Sequence, residues 1–178
     1  MEIQLQTRPT LVLMAGLSGT GKTTLALALE HELQWPVIRK DRLKYTLLQR
    51  RINSEMAGYL AYELLLDLAS DLLLEQQLSI ILDSASLHRL VVTRAIELAH
   101  MADARLKVIF CMADQNIREQ RIESRPFLIP STSPTVYDPT LSEDDPQRFA
   151  HLPDDKLVLY TVPPIETYLE TAISYVKS

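Results

Sequence analysis

Short apolar runs alternate along the chain with longer segments in which apolar residues recur every three or four positions. The apolar runs predict buried strands at residues 10–15, 37–38, 78–82, 106–112 and 156–162. The helical periodicity predicts helices at residues 24–33, 41–51, 54–77, 88–102, 114–124 and 165–176. Strands that alternate with helices favour an α/β fold, with a five-stranded parallel sheet sandwiched by helices.

A cluster of glycines follows the first predicted strand. The chain has four glycines, and Gly16, Gly19 and Gly21 fall within six residues. Residues 16–24 read Gly-Leu-Ser-Gly-Thr-Gly-Lys-Thr-Thr and match the Walker A pattern between a strand and a helix. Converging backbone amides and a helix N-terminus suit a polyphosphate, whereas a turn without a ligand is the alternative. The predicted nucleotide-binding residues are Gly16, Ser18, Gly19, Thr20, Gly21, Lys22, Thr23 and Thr24.

Two further positions complete a predicted phosphate and metal site. In this pattern the Lys22 ammonium can bridge the outer phosphates, and the Thr23 hydroxyl can coordinate Mg²⁺. Asp83 ends the third strand, where a carboxylate can orient Mg²⁺ or its waters, although a turn or helix-capping role is the alternative. Ser84 follows, where an AAA-type ATPase usually places a water-activating glutamate, so the pattern favours group transfer over hydrolysis.

Charged residues after two other strands suggest catalytic roles. Asp41 follows the second strand and could accept a proton from an incoming hydroxyl, or could simply cap a helix. Arg118, Arg121 and Arg125 share one helix face by their spacing. Arginine can stabilise a transferring phosphoryl group, and we expect this role of Arg121 and Arg125. For Arg118 we expect a solvated helix face.

A proline-rich segment lies late in the chain. Residues 126–153 contain six of the ten prolines and an acidic run at residues 143–145. This composition predicts a long loop or lid that closes over the phosphates and excludes water, not a second domain. Residues 1–178 are therefore expected to form a single domain.

Together, these motifs resemble a known group of enzymes. Residues 16–24, the Asp41-Arg42-x-Lys44 step, Leu82-Asp83 and Arg121-x-x-x-Arg125 are similar to the P-loop kinases related to the 5′-kinase domain of polynucleotide kinase. Zeta toxins, chloramphenicol phosphotransferase and gluconate kinase are more distant relatives in this group. The group's frequent Asp-x-Asp at the end of the second strand is here Arg39-x-Asp41, and its frequent arginine after the base is Lys44.

The resemblance implies a P-loop NTPase fold and an activity. It implies a phosphotransferase that uses ATP and Mg²⁺ and transfers the γ-phosphate to an alcohol group of a small molecule or of a nucleic-acid 5′ end. By the same resemblance, Asp41 is the general base and Lys22 and Arg125 stabilise the transferring group. Arg121 then belongs to the lid, and Asp83 lies near the metal and the acceptor.

Charge refines the expected acceptor. Eighteen Lys and Arg against twenty-three Asp and Glu give a net charge of −5, which argues against an extended nucleic-acid surface. Residues 39–51, the basic segment, nevertheless hold six basic residues. The segment suggests an acceptor that already carries a negative group, such as a nucleotide or sugar phosphate. A solvated helix face accounts for it equally well.

The rest of the composition bears on the cellular compartment of the protein, and two functions other than a kinase stay open. The single cysteine, Cys111, excludes an internal disulfide and a cysteine-based zinc site. No apolar run approaches the length of a membrane span, and the N-terminus lacks a secretory pattern, which predicts a cytoplasmic protein without a membrane partner. A regulatory module that binds ATP without transferring phosphate, and a slow nucleotide hydrolase, are the alternatives to a kinase.

Overall fold

A computed structural model describes residues 8–86, 88–124 and 146–178 of the chain. The strands are β1 (Thr10–Ala15), β2 (Val37–Arg39), β3 (Ile80–Asp83), β4 (Arg105–Met112) and β5 (Lys156–Tyr160). The α-helices are α1 (Lys22–Leu33), α2 (Lys40–Gln49), α3 (Ser54–Ser70), α4 (Arg89–Met101), α5 (Gln115–Glu123) and α6 (Leu169–Lys177). The predicted five-stranded α/β architecture is confirmed.

The five strands form one parallel sheet in the order β2-β3-β1-β4-β5. Strand β1 is central and every one of its residues is buried. The chain adds strands first on one side of β1 and then on the other. In open parallel sheets, such a reversal leaves a crevice at the carboxyl edge, and ligands bind there.

Alternate residues of β1 face two separate apolar layers. Leu11 and Leu13 pack into the layer formed with α3 and α4, whereas Val12 and Met14 pack into the layer formed with α1 and α6. This alternation follows from strand geometry, because successive side chains point to opposite faces. The sheet is therefore covered by helices on both faces. Residues of the strands that bind a ligand must then lie at the ends of the strands.

Several predicted boundaries differ from the observed ones. The segment predicted as one helix at residues 54–77 is α3 followed by a π-helical turn, Asp71–Glu75, and it ends where Gln77 adopts a left-handed conformation with φ 53°. Strand β3 then begins at Ile80 instead of residue 78. The final helix is divided into a 3-10 turn, Ile165–Thr167, and α6.

Most of the predicted lid lies outside the described residues, as does Arg125. The described part contains a 3-10 turn, Pro146–Phe149, and Leu152, which is buried in the layer beneath α3 and α4. None of the described helices is long and apolar enough to cross a membrane. The single-domain arrangement stays a prediction.

Candidate functional site

The loop between β1 and α1 lies directly against neighbouring backbone, and glycine makes this possible. Gly16 has φ 132°, and a Cβ atom there would lie 2.3 Å from the carbonyl oxygen of Cys111. Gly19 has φ 83°, and a Cβ atom there would lie 2.6 Å from the carbonyl oxygen of Arg118. The Gly16 amide donates to the carbonyl of Ala85 at 3.2 Å. The loop is thus fixed against the end of β4, the middle of α5 and the loop after β3.

Side chains within the loop also hold its shape. The Lys22 ammonium donates to the carbonyl of Leu17 at 2.6 Å and approaches Thr20 Oγ1 at 3.5 Å. Thr20 Oγ1 donates to the same Leu17 carbonyl at 2.8 Å. Gly21, with φ 81°, precedes the first residue of α1. The loop therefore brings a cation and a helix N-terminus to one place, which suits an anionic ligand.

Two of the nucleotide-binding residues expected from the motif are exposed. Ser18 lies at the tip of the loop, and Thr24 lies in the first turn of α1. Gly19 and Thr20 are buried beneath them. The loop therefore exposes Ser18 to solvent, while Gly19 packs against α5.

The two predicted metal ligands are in contact. Thr23 Oγ1 donates to Asp83 Oδ2 at 2.7 Å, and Asp83 is only 7% exposed. Burial raises the pKa of Asp83, while the Thr23 hydroxyl, Lys22 and Arg39 act in the opposite direction and Asp41 reinforces the increase. Hydroxyl and carboxylate oxygens are ligands that Mg²⁺ prefers.

These residues fit a metal that is held mainly by its nucleotide. No group of three or more His, Cys, Asp or Glu side chains able to hold a metal occurs in the part of the chain that the structure describes. Mg²⁺ commonly takes one or two protein ligands and completes its shell with phosphate oxygens and waters. Thr23 and Asp83 supply that number.

The second carboxylate of the site follows β2. Arg39, the last residue of β2, pairs in register with Asp83 of β3, and its Nε lies 3.9 Å from Asp83 Oδ2. Two residues later, Asp41 lies in the first turn of α2 with its side chain 49% exposed. The N-cap residue of α2 is Arg39, whose side chain makes no capping hydrogen bond, and Asp41 is the acidic residue of the first turn. Asp41 Oδ1 instead accepts from Lys40 Nζ at 2.9 Å.

A series of contacts leads from this carboxylate through Lys40 to two aromatic rings. The Lys40 ammonium lies 5.2 Å from the centroid of the Tyr62 ring, and Tyr62 meets the His88 ring edge-on at 5.4 Å between centroids. Burial lowers the pKa of His88, and the nearby Lys40 and His151 lower it further. The sequence signalled a basic segment here, but its spacing gave no indication that His88 would lie near it.

Two arginines of α5, Arg118 and Arg121, contact the phosphate-binding loop at Gly19. Arg121 donates to the Gly19 carbonyl at 3.3 Å and to the Thr161 carbonyl at 2.7 Å. Thr161 Oγ1 in turn donates to the Thr20 carbonyl at 2.6 Å. The expectation of a solvated face for Arg118 is wrong, because α5 packs on the loop and leaves Arg118 3% exposed. Thr161 was not anticipated, although it directly follows a strand at the carboxyl edge.

A comparison of the sequence with known protein families shows the family to which the chain belongs. The model of the AAA_33 family, described as an AAA domain, matches residues 11–131. The chain belongs to this AAA domain family. No curated protein sequence matches it. The matched region of this AAA domain runs from β1 past α5, so it contains the loop, Asp41, Asp83 and Arg121.

Solved structures share the fold of this AAA domain. A candidate kinase from Chloroflexus aurantiacus J-10-fl is 24% identical, with a TM-score of 0.71 over 95% of this chain and 94% of its own. A sugar kinase from Janibacter sp. HTCC2649 is 18% identical, with a TM-score of 0.66 over 95% of each chain. The APS kinase of Mycobacterium tuberculosis, in complex with AMPPNP and APS, is 19% identical, with a TM-score of 0.62 over 96% and 99%. The fold is therefore that of P-loop kinases.

Proposed function

We propose that the protein is a kinase that transfers the γ-phosphate of MgATP to a hydroxyl group of a small molecule. The observation that carries the proposal is the pairing of Arg39 with Asp83 at the carboxyl edge. It brings the second carboxylate, Asp41, to the same edge as the Walker A loop and the Thr23–Asp83 pair. A phosphate-binding loop, a metal-binding pair and a separate half-exposed carboxylate are the parts that phosphoryl transfer to an alcohol requires.

Each group then has a distinct task. The loop amides and Lys22 bind the phosphates, and Mg²⁺, held by Thr23 and Asp83, neutralises their charge when it is bound. Asp41 accepts the proton of the acceptor hydroxyl, whose oxygen forms a bond to the γ-phosphorus as the bond to ADP breaks. Arg121 holds the loop through two carbonyls. Arg125 remains a proposed stabiliser of the transferring group.

The residue after Asp83 supports transfer over hydrolysis. Ser84 is 4% exposed and its hydroxyl lies 3.1 Å from Ser86 Oγ, which donates to the Met14 carbonyl at 2.7 Å. This position offers a serine held in a buried network, not a carboxylate that could activate water. The neighbours named as sugar kinase, APS kinase and gluconokinase support a small-molecule acceptor. A nucleic-acid 5′ end, as in the polynucleotide kinase group, is the second acceptor class.

A phosphate-transfer screen tests this function. The protein is incubated with γ-labelled ATP and Mg²⁺ and with sugars, sugar acids, nucleosides, antibiotics and 5′-hydroxyl oligonucleotides. We expect label to appear in at least one acceptor. ATP binding without transfer to any of these acceptors would instead identify a regulatory module. Release of inorganic phosphate at a rate that no acceptor changes would identify a hydrolase.

A further inference from the structure

A buried residue near the end of the chain, Thr161, joins two strand ends to the phosphate-binding loop. Thr161 directly follows β5 and is only 1% exposed. Its amide donates to the carbonyl of Met112, the last residue of β4, at 2.9 Å. Its hydroxyl donates to the Thr20 carbonyl at 2.6 Å, and its own carbonyl accepts from Arg121 at 2.7 Å. Thr161 therefore connects the loop to the edge of the sheet and to α5.

The hydroxyl of Thr161 has one proton and two carbonyl oxygens within reach. The Thr20 carbonyl oxygen lies at 2.6 Å and the Met112 carbonyl oxygen at 3.1 Å. The Met112 carbonyl already accepts from the Thr161 amide, so the shorter contact to Thr20 receives the proton. A buried carbonyl requires a donor, and a valine at this position would have the shape of threonine without supplying one.

The peptide group between Thr20 and Gly21 requires such an external contact. Gly21 has φ 81°, and glycine adopts positive and negative φ with similar ease. The backbone of Gly21 therefore does little by itself to fix the direction of this peptide group. Because a peptide bond is planar and trans, the Thr20 carbonyl and the Gly21 amide point in opposite directions. By holding the carbonyl, Thr161 also fixes the direction of the Gly21 amide, which the motif assigns to phosphate binding.

The preceding peptide group of the loop is held as well, but by a charged donor. Arg121 donates to the Gly19 carbonyl at 3.3 Å. A Cβ atom at Gly21 would lie 3.5 Å from Thr161 Oγ1 and 3.7 Å from a guanidinium nitrogen of Arg121, so both donors lie against the loop. Substitution of Arg121 changes the charge near the phosphates, whereas substitution of Thr161 does not. Variants of Thr161 therefore isolate the geometry of the loop from its electrostatics.

We propose that Thr161 is a positioning residue of the phosphate-binding loop, whose hydroxyl directs the Gly21 amide toward the nucleotide phosphates before the nucleotide binds. Donors that are already oriented bind an anion more tightly, because no reorganisation is required on binding. The inference rests on the nucleotide binding that the proposed function requires. It extends the nucleotide site to a residue outside both the Walker A motif and the region that the family model matches.

Calorimetric titration with Mg²⁺ and AMPPNP tests the role of the hydroxyl. Thr161→Val keeps the shape of the side chain but leaves the Thr20 carbonyl without its donor, and it should weaken binding by about tenfold. Thr161→Ser restores the hydroxyl and should bind nearly as tightly as the wild type. Unchanged affinity in Thr161→Val would overturn the inference. So would an equal loss in the valine and serine variants, because it would assign the effect to packing.

The matched control is Thr10→Val. Thr10 is fully buried, but it is the first residue of β1, at the opposite edge of the sheet, where its Oγ1 accepts from Arg105 at 2.8 Å. Both valine variants should have a lower free energy of unfolding in urea, but only Thr161→Val should lose affinity for AMPPNP. An equal loss of affinity in Thr10→Val would assign the effect to general destabilisation and overturn the inference.

A second pair of variants keeps the test decisive if Thr161→Val does not fold. Thr161→Ser and Thr161→Cys have similar shapes, but a thiol is a much weaker hydrogen-bond donor than a hydroxyl. We expect the cysteine variant to bind AMPPNP more weakly than the serine variant, and equal affinities would overturn the inference. Circular dichroism and cooperative urea unfolding show whether each variant is folded.

Glycine signals in NMR spectra report on the loop directly. The chain has four glycines, so protein labelled with ¹⁵N-glycine gives four backbone amide signals. In the ligand-free protein, we expect Thr161→Val to shift or broaden the Gly21 signal and to leave the signal of Gly58, within α3, unchanged. A Gly21 signal that is identical in the wild type and the variant would overturn the inference.

Transfer assays separate this inference from the proposed function. In an active enzyme, we expect Thr161→Val to raise the KM for ATP by about tenfold, with a smaller change in kcat. Transfer with an unchanged KM for ATP in this variant would overturn the inference and leave the kinase intact. AMPPNP binding that depends on the Thr161 hydroxyl, without transfer to any acceptor, would refute the kinase and retain the positioning role.

Discussion

At the carboxyl edge of the sheet, the proposed phosphate side and the proposed acceptor side are built in different ways. On the phosphate side, the loop is held by backbone contacts, and glycines lie where a Cβ atom would collide with the carbonyls of Cys111 or Arg118. On the acceptor side, α2 and α3 contribute side chains, with Lys40 and Lys44 buried beside Asp41 and Tyr62. A site built by backbone tolerates few sequences, whereas a site built by side chains can change its ligand by substitution.

The difference also appears in how each side carries charge. The buried carboxylate on the phosphate side, Asp83, has a hydroxyl donor in Thr23 and a nearby cation in Lys22. The acceptor side instead places two lysines close together, and burial, followed by the charge of Lys40, lowers the pKa of Lys44. The first side thus pairs a buried carboxylate with a hydroxyl and a cation, whereas the second brings two cations together.

The largest expected effect separates the two sides by their roles. Asp41→Asn should lower kcat by about 10²–10⁴-fold, because the proposed base is lost, while nucleotide affinity stays unchanged. Steady-state kinetics and calorimetry with AMPPNP measure the two quantities. Asp67→Asn, at an exposed position of α3, is the control and should change neither. A parallel loss of nucleotide affinity would place Asp41 on the phosphate side and end the comparison.

Glycine substitutions compare the backbone tolerance of the two sides. Gly16→Ala should reduce the free energy of unfolding by more than about 2 kcal/mol, because φ 132° and the Cys111 carbonyl both exclude a side chain. Gly58→Ala should increase it by about 0.5–1 kcal/mol, since its Cβ atom meets only ordinary contacts. Urea unfolding measures both. Equal effects of the two substitutions would show that the loop is not fixed by its backbone.

The pH dependence of Asp83 gives an intermediate effect. Because burial raises the pKa of Asp83, its contribution to the stability of the ligand-free protein is full below 3.8 and is lost as pH rises through the higher folded pKa. Mg²⁺ needs the carboxylate, so stabilisation by Mg²⁺ and AMPPNP should grow over the same range. Asp83→Asn should be more stable than the wild type without ligand at neutral pH, yet should lose the Mg²⁺-dependent increase.

Melting curves with and without Mg²⁺ and AMPPNP, recorded from about pH 4 to about pH 8, measure these changes. The wild type and Asp83→Asn should converge in ligand-free stability at the acid end. An unchanged Mg²⁺-dependent increase in Asp83→Asn would contradict the metal role of this carboxylate.

The smallest expected effect concerns the support behind the loop. Arg121→Met removes two hydrogen bonds to backbone carbonyls and should weaken nucleotide binding by about tenfold, with kcat less affected. Arg94→Met removes a 2.7 Å contact with Glu63 between α3 and α4 and should leave nucleotide binding unchanged. Identical nucleotide affinities in the two variants would show that Arg121 does not support the loop.

Much of the fold and of the phosphate side could be predicted from the sequence, for physical reasons. A buried parallel strand is a continuous apolar run, so β1 could be predicted from the sequence. Positive φ angles favour glycine, so the glycines of residues 16–24 predicted a tight loop there. The sequence also predicted that Thr23 and Asp83 lie at one site, because each comes just after the carboxyl end of a strand of a parallel sheet. That Asp41, Arg121 and Arg125 take part in catalysis stays a prediction.

The rest depends on packing that no local pattern records. The spacing of Arg118 and Arg121 placed them on one face, but only the position of α5 against Gly19 shows that Arg118 is buried. Likewise, the sequence marks residues 39–51 as a basic segment. Only the packing of α2 against α3 at Gly58 shows that Lys44 is buried while Arg42 is exposed. Side-chain burial between helices is set by tertiary contacts, so sequence spacing alone left both readings open.

The fate of the γ-phosphate in a single turnover tests the kinase proposal most directly. Excess protein is mixed with γ-labelled ATP, Mg²⁺ and the best acceptor of the screen, and label is followed in the acceptor and in inorganic phosphate. We predict that the wild type places the labelled phosphate on the acceptor hydroxyl within one turnover. Asp41→Asn should bind ATP as the wild type does but transfer the γ-phosphate far more slowly. Label that appears only as inorganic phosphate, or transfer at the same rate in Asp41→Asn, would contradict the account.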